Sequence, residues 1–222
     1  MQSLKMENKI FEIVFKSLKN EKYVIIKSFD PIDFSKGNDI DIFCYSIIDI
    51  KKNIINSLDK LLDETSIEIS VKNYHKHSHL DILEKNNILI RFDLFEDIPN
   101  YKKLNIRSSL FDIILEKRVI KKFRSTNYYI ADSNFNNLIR YIEYIEYFTP
   151  ENNKIKHLIY LENNLKNDFE FYNNIHYYIK FPYEKTKPNR GFRKTDFNQI
   201  LKKVKETKTK DLPKKIFNFL FR

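Results

Sequence analysis

The run Gly37-Asn38-Asp39-Ile40-Asp41-Ile42 constrains this chain more than any other segment. Strict alternation of acid and isoleucine has the period of a β-strand. Asp39 and Asp41 therefore project from one face, and Ile40 and Ile42 enter a core behind the other. Two same-face carboxylates repel, and in a purely structural strand that repulsion costs stability. The arrangement becomes favourable where divalent cations lie between them. Hard oxygen donors of this kind suit Mg²⁺, which takes few protein carboxylates and fills its octahedron with water and substrate phosphates. The metal-free alternative makes both acids turn and strand-edge residues.

A third acid stands in Ile88–Phe95 (ILIRFDLF), where Asp93 interrupts a run of apolar residues. An unpaired carboxylate is expensive in such a strand. If this strand lies beside Asp39–Tyr45, three carboxylates converge, enough to hold two Mg²⁺ ions for in-line attack at phosphorus. Arg91 shares the face of Asp93 two residues away. It reads either as the salt-bridge partner of Asp93 or as a phosphate ligand.

Around these segments the pattern predicts a mixed domain. Residues 4–19 carry Leu4, Ile10, Phe11, Val14, Phe15 and Leu18 at helical spacing, and Tyr23–Phe29 is a β-branched, aromatic run of strand length. Asp30-Pro31 and Lys36-Gly37-Asn38 bracket a loop. Asp49 is expected to cap a helix carrying Ile54, Ile55, Leu58, Leu61 and Leu62. Ser66–Tyr74 alternates as a strand, and His79–Leu83 with Asn87–Phe95 reads as a hairpin around Glu84-Lys85-Asn86. Residues 107–117 read as a helix, and Arg118–Phe123 with Tyr128–Ala131 as a second hairpin. From Ser133, a plausible N-cap, the pattern is nearly all helical. The expected organisation is thus α+β, with a domain over 1–128 and a helical part over 129–222.

These residues resemble the nucleotidyltransferase superfamily built on the palm fold of DNA polymerase β. Its pattern is an apolar residue, Gly, and Gly or Ser, then about ten residues, then Asp-apolar-Asp/Glu-apolar, with another acid on a later strand. Here it reads Ile26-Lys27-Ser28, then Asp39-Ile40-Asp41-Ile42, then Asp93. The resemblance implies a mixed sheet flanked by helices, with Asp39, Asp41 and Asp93 as metal ligands and catalytic acids. It further implies that Asp93 helps activate an acceptor hydroxyl and that Ser28 touches nucleotide phosphates. Lys27 departs from the family glycine, removing the close backbone approach to phosphate, although its ammonium offers phosphate a point charge instead.

The segments Tyr23–Phe29, Gly37–Ile42 and Asp93-Leu94-Phe95 are also similar to those of minimal nucleotidyltransferases from bacterial surface-polysaccharide genes. That likeness implies nucleoside monophosphate transfer from a triphosphate such as ATP to a sugar or polyol derivative. Lys154, Lys156 and His157 open a later helix. In similar enzymes the C-terminal part packs against the palm and closes the nucleotide cleft, so Lys154 joins Lys27, Ser28 and Arg91 as a nucleotide-binding candidate. A non-catalytic, antitoxin-like partner-binding protein on the same fold is the alternative, and a nucleic-acid-modifying transferase is a third reading.

Composition narrows the setting. Apolar residues at 42% argue against disorder, and Gly 2 with Pro 6 argues against a linker-like or collagen-like chain. No apolar run reaches the ~18 residues of a membrane span. The single Cys44 excludes an intrachain disulfide, and its position three residues past Asp41 places it on the buried face, away from nucleophilic chemistry. A cytoplasmic protein is expected. The net charge of +10 resides entirely in residues 180–222. Such a block attracts polyanions or an anionic membrane surface, and it is also what a solvated lysine-rich helix face looks like. Pro213–Arg222 fits a terminal helix docked on the core, or a peripheral contact with the inner membrane surface. His75, His77 and His79 alternate, with Asp81 continuing the phase. On one strand they share a face and could bind Zn²⁺. A turn expected near Ser78 scatters them, leaving a polar edge or one histidine near the nucleotide.

Overall fold

The computed structural model describes residues 2–27, 39–102, 104–147, 157, 160–161 and 169–180. Ser28, Gly37, Asn38, Lys154, Lys156 and the basic segment 181–222 lie outside the described residues, as does Pro213–Arg222 within it. The chain divides into two compact units, Met1–Pro99 with Phe111–Asp132, and Asn100–Leu110 with Ser133–Arg222. Division at 128/129 differs from this chiefly in Asn100–Leu110, which belong with the second unit.

The first unit is α+β and is built on a seven-stranded mixed sheet. Its elements are α1 (Gln2–Ser17), β1 (Tyr23–Ile26), β2 (Asp39–Cys44), α2 (Ile47–Glu64), β3 (Ile67–Tyr74), β4 (His77–Glu84) and β5 (Asn87–Phe95). After a two-residue strand of the second unit, β6 (Asn105–Ile106), come α3 (Ser109–Glu116), β7 (Val119–Phe123) and β8 (Thr126–Ile130). The strand order is β3-β4-β5-β2-β1-β8-β7. β2 runs parallel to β5 and antiparallel to β1, so β2 and β5 sit in the middle of the sheet.

Period-2 alternation gives this sheet two different faces. Ile40 and Ile42 of β2, Leu80 and Ile82 of β4, and Ile90, Phe92 and Leu94 of β5 are buried in one core with α1 and α2. Helix α1 contributes Ile10, Phe11, Val14, Phe15 and Leu18, and α2 contributes Ile47, Ile50, Ile54, Leu58 and Leu61. Phe15 meets Phe92 edge-on at 6.2 Å, and Phe11 meets Tyr128 at 5.2 Å. Each such ring contributes roughly 1.5–3 kcal/mol of burial, which fixes the strand register behind the polar face. On that polar face Phe43 is covered by Phe111 of α3, with ring centroids 5.2 Å apart.

Local chemistry sets the boundaries. Ser46, not Asp49, caps α2: its Oγ accepts the Asp49 backbone N–H at 3.2 Å. The run Ser46-Ile47-Ile48-Asp49 puts the hydroxyl at the cap and the acid three residues inside, where it faces the positive end of the helix. With so few glycines, tight turns use other residues: Lys85 and Asn86 both take positive φ (50° and 66°) between β4 and β5. This is the type I′ geometry that matches strand twist.

In the second unit, α4 (Ser133–Tyr147) packs against α5 (Phe169–Tyr178), with Tyr141 edge-on to Phe171 at 6.0 Å. β6 pairs antiparallel with β9 (Ile179–Lys180). Glu146 of α4 accepts the Lys102 backbone N–H at 2.7 Å, and the Arg140 guanidinium lies 4.1 Å over the Tyr160 ring. His157 is buried. Among the described residues no helix is long and apolar enough to cross a membrane.

Candidate functional site

The middle of the polar face carries the acids. β2 and β5 align Asp41 with Asp93 and Asp39 with Arg91. Neighbouring strands lie about 4.8 Å apart, so Asp41 and Asp93 are adjacent on one face, with Asp39 one strand step along. Strand β4 extends both rows, because His79 is aligned with Asp93 and Asp81 with Arg91. β3 adds Lys72 opposite His79 and Ser70 opposite Asp81.

Each carboxylate has a different answer to its charge. Asp41 Oδ1 lies 2.9 Å from Lys27 Nζ, both side chains being mostly buried. Asp93 Oδ1 is hydrogen-bonded to His79 Nδ1. Asp39, at the start of β2, is exposed. Asp81 is almost fully buried and receives a two-point fork from Arg91, with Nε at 2.6 Å and Nη2 at 2.9 Å. That fork holds the Asp81 carboxyl below its ordinary range and pushes Arg91 up. Arg91 therefore serves Asp81, not Asp93. The guanidinium reaches across to β4 because strand-aligned neighbours are closer than residues two apart on one strand.

Lys27 marks the departure from the family pattern, and its backbone is informative. Its φ is +55°, in the left-handed region where glycine sits without penalty and other residues lose roughly 1 kcal/mol or more. Lys27 thus has a glycine-like backbone at the end of β1, and its side chain reaches Asp41.

Two histidines lie where the sequence pattern did not put them. The β3–β4 turn falls at His75–Lys76 rather than near Ser78, with Lys76 at φ 54°. β4 therefore starts at His77, and His77, His79 and Asp81 share the polar face. The signal was in the sequence, since the phase-matched His-x-His-x-Asp run is what an uninterrupted strand predicts. His77 stacks nearly parallel on Phe95 (4.2 Å, 4°), and His79 stands edge-on to it at 4.3 Å. Burial, then the neighbouring His79, lowers the His77 imidazole below its ordinary range and favours the neutral ring. Cys44 faces the core, fully buried, and burial pushes its thiol up to about 12.

Asp39, Asp41 and Asp93 form an oxygen-rich donor set. Of its two inner members, Asp41 is paired with an ammonium and Asp93 is hydrogen-bonded to an imidazole. Such partners are exchangeable, so the acids fit a hard divalent cation; the two-point Asp81–Arg91 pair does not.

No protein-family model matches the chain, and no curated protein matches it. Among solved structures, the chain is similar to JHP933 from Helicobacter pylori. The likeness has a TM-score of 0.47 at 10% identity, over 79% of this chain and 73% of that one.

Proposed function

We propose that the protein is a Mg²⁺-dependent nucleotidyltransferase on a palm-like sheet followed by a helical C-terminal part. The observation that carries this reading is the alignment of Asp41 with Asp93 on adjacent parallel strands, with Asp39 on the same face. Asp39, Asp41 and Asp93 would hold Mg²⁺, which supplies neutralisation of the triphosphate charge when bound. A hydroxyl or phosphate oxygen of the acceptor attacks the α-phosphorus, and pyrophosphate leaves. Asp93 takes the proton where the acceptor is a hydroxyl. Lys27 and Ser28 are the proposed phosphate contacts, with Lys27 moving from Asp41 to the incoming phosphates, while Arg91 stays with Asp81. From the resemblance in sequence, the acceptor is a sugar or polyol derivative for surface-polysaccharide assembly. Asp39→Asn is expected to abolish transfer with an unchanged melting curve, since Asp39 is exposed at a strand start. Undiminished turnover of that variant with Mg²⁺ present contradicts the assignment.

The Lys27–Asp41 ion pair favours a second reading, in which a tethered ammonium replaces the cation permanently and the fold serves as a non-catalytic binding module. Calorimetric titration separates the two. Mg²⁺-dependent triphosphate binding supports the transferase, and its absence supports the binding module.

A further inference from the structure

Beside the three acids lies a donor set of another kind. His77, His79 and Asp93 each present one ligand atom, and these atoms all lie within 4.8 Å of one another. We propose that His77, His79 and Asp93 form a site for a divalent transition metal of the zinc class, distinct from the proposed Mg²⁺ set and sharing Asp93 with it.

Three observations carry this. First, the donors are two imidazoles and one carboxylate. Imidazole suits zinc, nickel, copper and iron rather than Mg²⁺, and three protein ligands leave a coordination position for water or substrate. Second, His77 Nε2 is buried with no hydrogen-bond partner among the described residues. Buried polar atoms are nearly always satisfied, and such an orphan beside two other donors is accounted for by a ligand. Third, the rings are held before any ion arrives. Phe95 and Tyr74 both stack on His77, and His79 is set edge-on to it while hydrogen-bonded to Asp93.

Zinc takes nitrogen and oxygen at about 2.0–2.2 Å, which places tetrahedral donors roughly 3.3–3.5 Å apart. Side-chain rotations that shorten the donor–donor distances by at most about 1.5 Å therefore close the cluster. The ion takes the place of the proton between His79 Nδ1 and Asp93 Oδ1, and that proton leaves to solvent. His79 and Asp93 are 23% and 17% exposed, so the ion reaches them from water. This site does not depend on nucleotidyl transfer.

The test is titration of the full chain with Zn²⁺ against a chromophoric chelator, and with Co²⁺ by visible absorption. One ion per chain is expected, with the intense visible bands of a four-coordinate cobalt centre. His77→Phe keeps the stack on Phe95 and deletes the ligand, and His79→Gln keeps a hydrogen-bonding group beside Asp93. With metal-free melting curves matching wild type, each is expected to weaken Zn²⁺ binding by more than about 100-fold. His75→Ala, in the turn, and Asp39→Asn are expected to bind Zn²⁺ as wild type does. If His77→Phe or His79→Gln binds undiminished, or His75→Ala loses binding equally, the site is overturned. Asp39→Asn keeps the two readings apart, since it is expected to lose Mg²⁺-dependent nucleotide binding and retain zinc.

Discussion

Two rows of side chains cross the polar face one strand step apart, Ser70–Asp81–Arg91–Asp39 and Lys72–His79–Asp93–Asp41. In the first, a nearly buried carboxylate is locked by a guanidinium fork, and both ends of the contact are consumed. In the second, Asp93 is hydrogen-bonded to the His79 imidazole and Asp41 is paired with the Lys27 ammonium. The two rows share a backbone geometry and differ in how their charge is answered. A fork is a scaffold, because displacing it breaks two charge-assisted hydrogen bonds at once. The flexible Lys27 ammonium and the His79 imidazole lack that planar fork, so an incoming cation or phosphate displaces them more readily. The difference separates Asp81 and Arg91, which hold the sheet, from Asp39, Asp41 and Asp93, which are available for chemistry.

The largest stability effect should come from breaking the closed row. Asp81→Asn leaves Arg91 charged without its counter-ion, and is expected to lower stability by about 3 kcal/mol in denaturant unfolding. Asp93→Asn, in the row of exchangeable partners, is expected to stay within about 1 kcal/mol of wild type, since it also relieves repulsion from Asp41. Equal losses would erase the distinction between the rows.

Acid sharpens the same comparison. The Asp81 carboxyl is held below its ordinary range in the folded state, so its contribution is complete above the unfolded value, near 3.9. As pH falls below that, the unfolded chain takes up the proton first. Stability is then lost until the lowered folded value is passed. Unfolding free energies measured down through pH 4 should therefore fall for wild type, and fall less steeply for Asp81→Asn.

Lys27→Gly is expected to change stability by less than about 1 kcal/mol, because relief of the positive φ offsets loss of the ion pair. Its sharper effect is functional. Triphosphate affinity in the presence of Mg²⁺ should fall by calorimetry, because the ammonium that moves from Asp41 to the phosphates is lost; a rise would contradict that role and leave Lys27 only as a mask on Asp41. Cys44 provides the smallest effect. Buried on the core face with a thiol raised to about 12, it should resist alkylation at neutral pH until the protein unfolds.

Much of this is legible in the sequence where a single period governs a segment. Asp39–Ile42 alternates strictly, and Asn87–Phe95 is an apolar run of strand length broken by Arg91 and Asp93, so their strand character and the shared face of Asp39 and Asp41 follow from pattern alone. Pattern does not supply the register between strands. Whether Asp93 stands beside Asp41, and whether Arg91 turns to Asp93 or Asp81, depends on which strands are neighbours. Turns are the other loss. In a chain with two glycines, positive φ among the described residues also falls to Lys27, Lys76, Lys85 and Arg124, which carry no strong turn signal; at Asn86, which does, the hairpin is legible. A turn expected at Ser78 hides His77 for that reason. Ser46 is obscured as a cap because Asp49, also a good capping residue, stands three positions on.

The division between scaffold and site is tested most directly by titrating wild type, Asp93→Asn and Asp81→Asn with the four nucleoside triphosphates, with and without Mg²⁺. The titration is run at a temperature where all three proteins are folded. Mg²⁺-dependent binding of at least one triphosphate is expected in wild type and in Asp81→Asn, and none in Asp93→Asn. Binding that survives in Asp93→Asn, or that is absent from wild type, would contradict a metal-holding role for the row Asp41–Asp93.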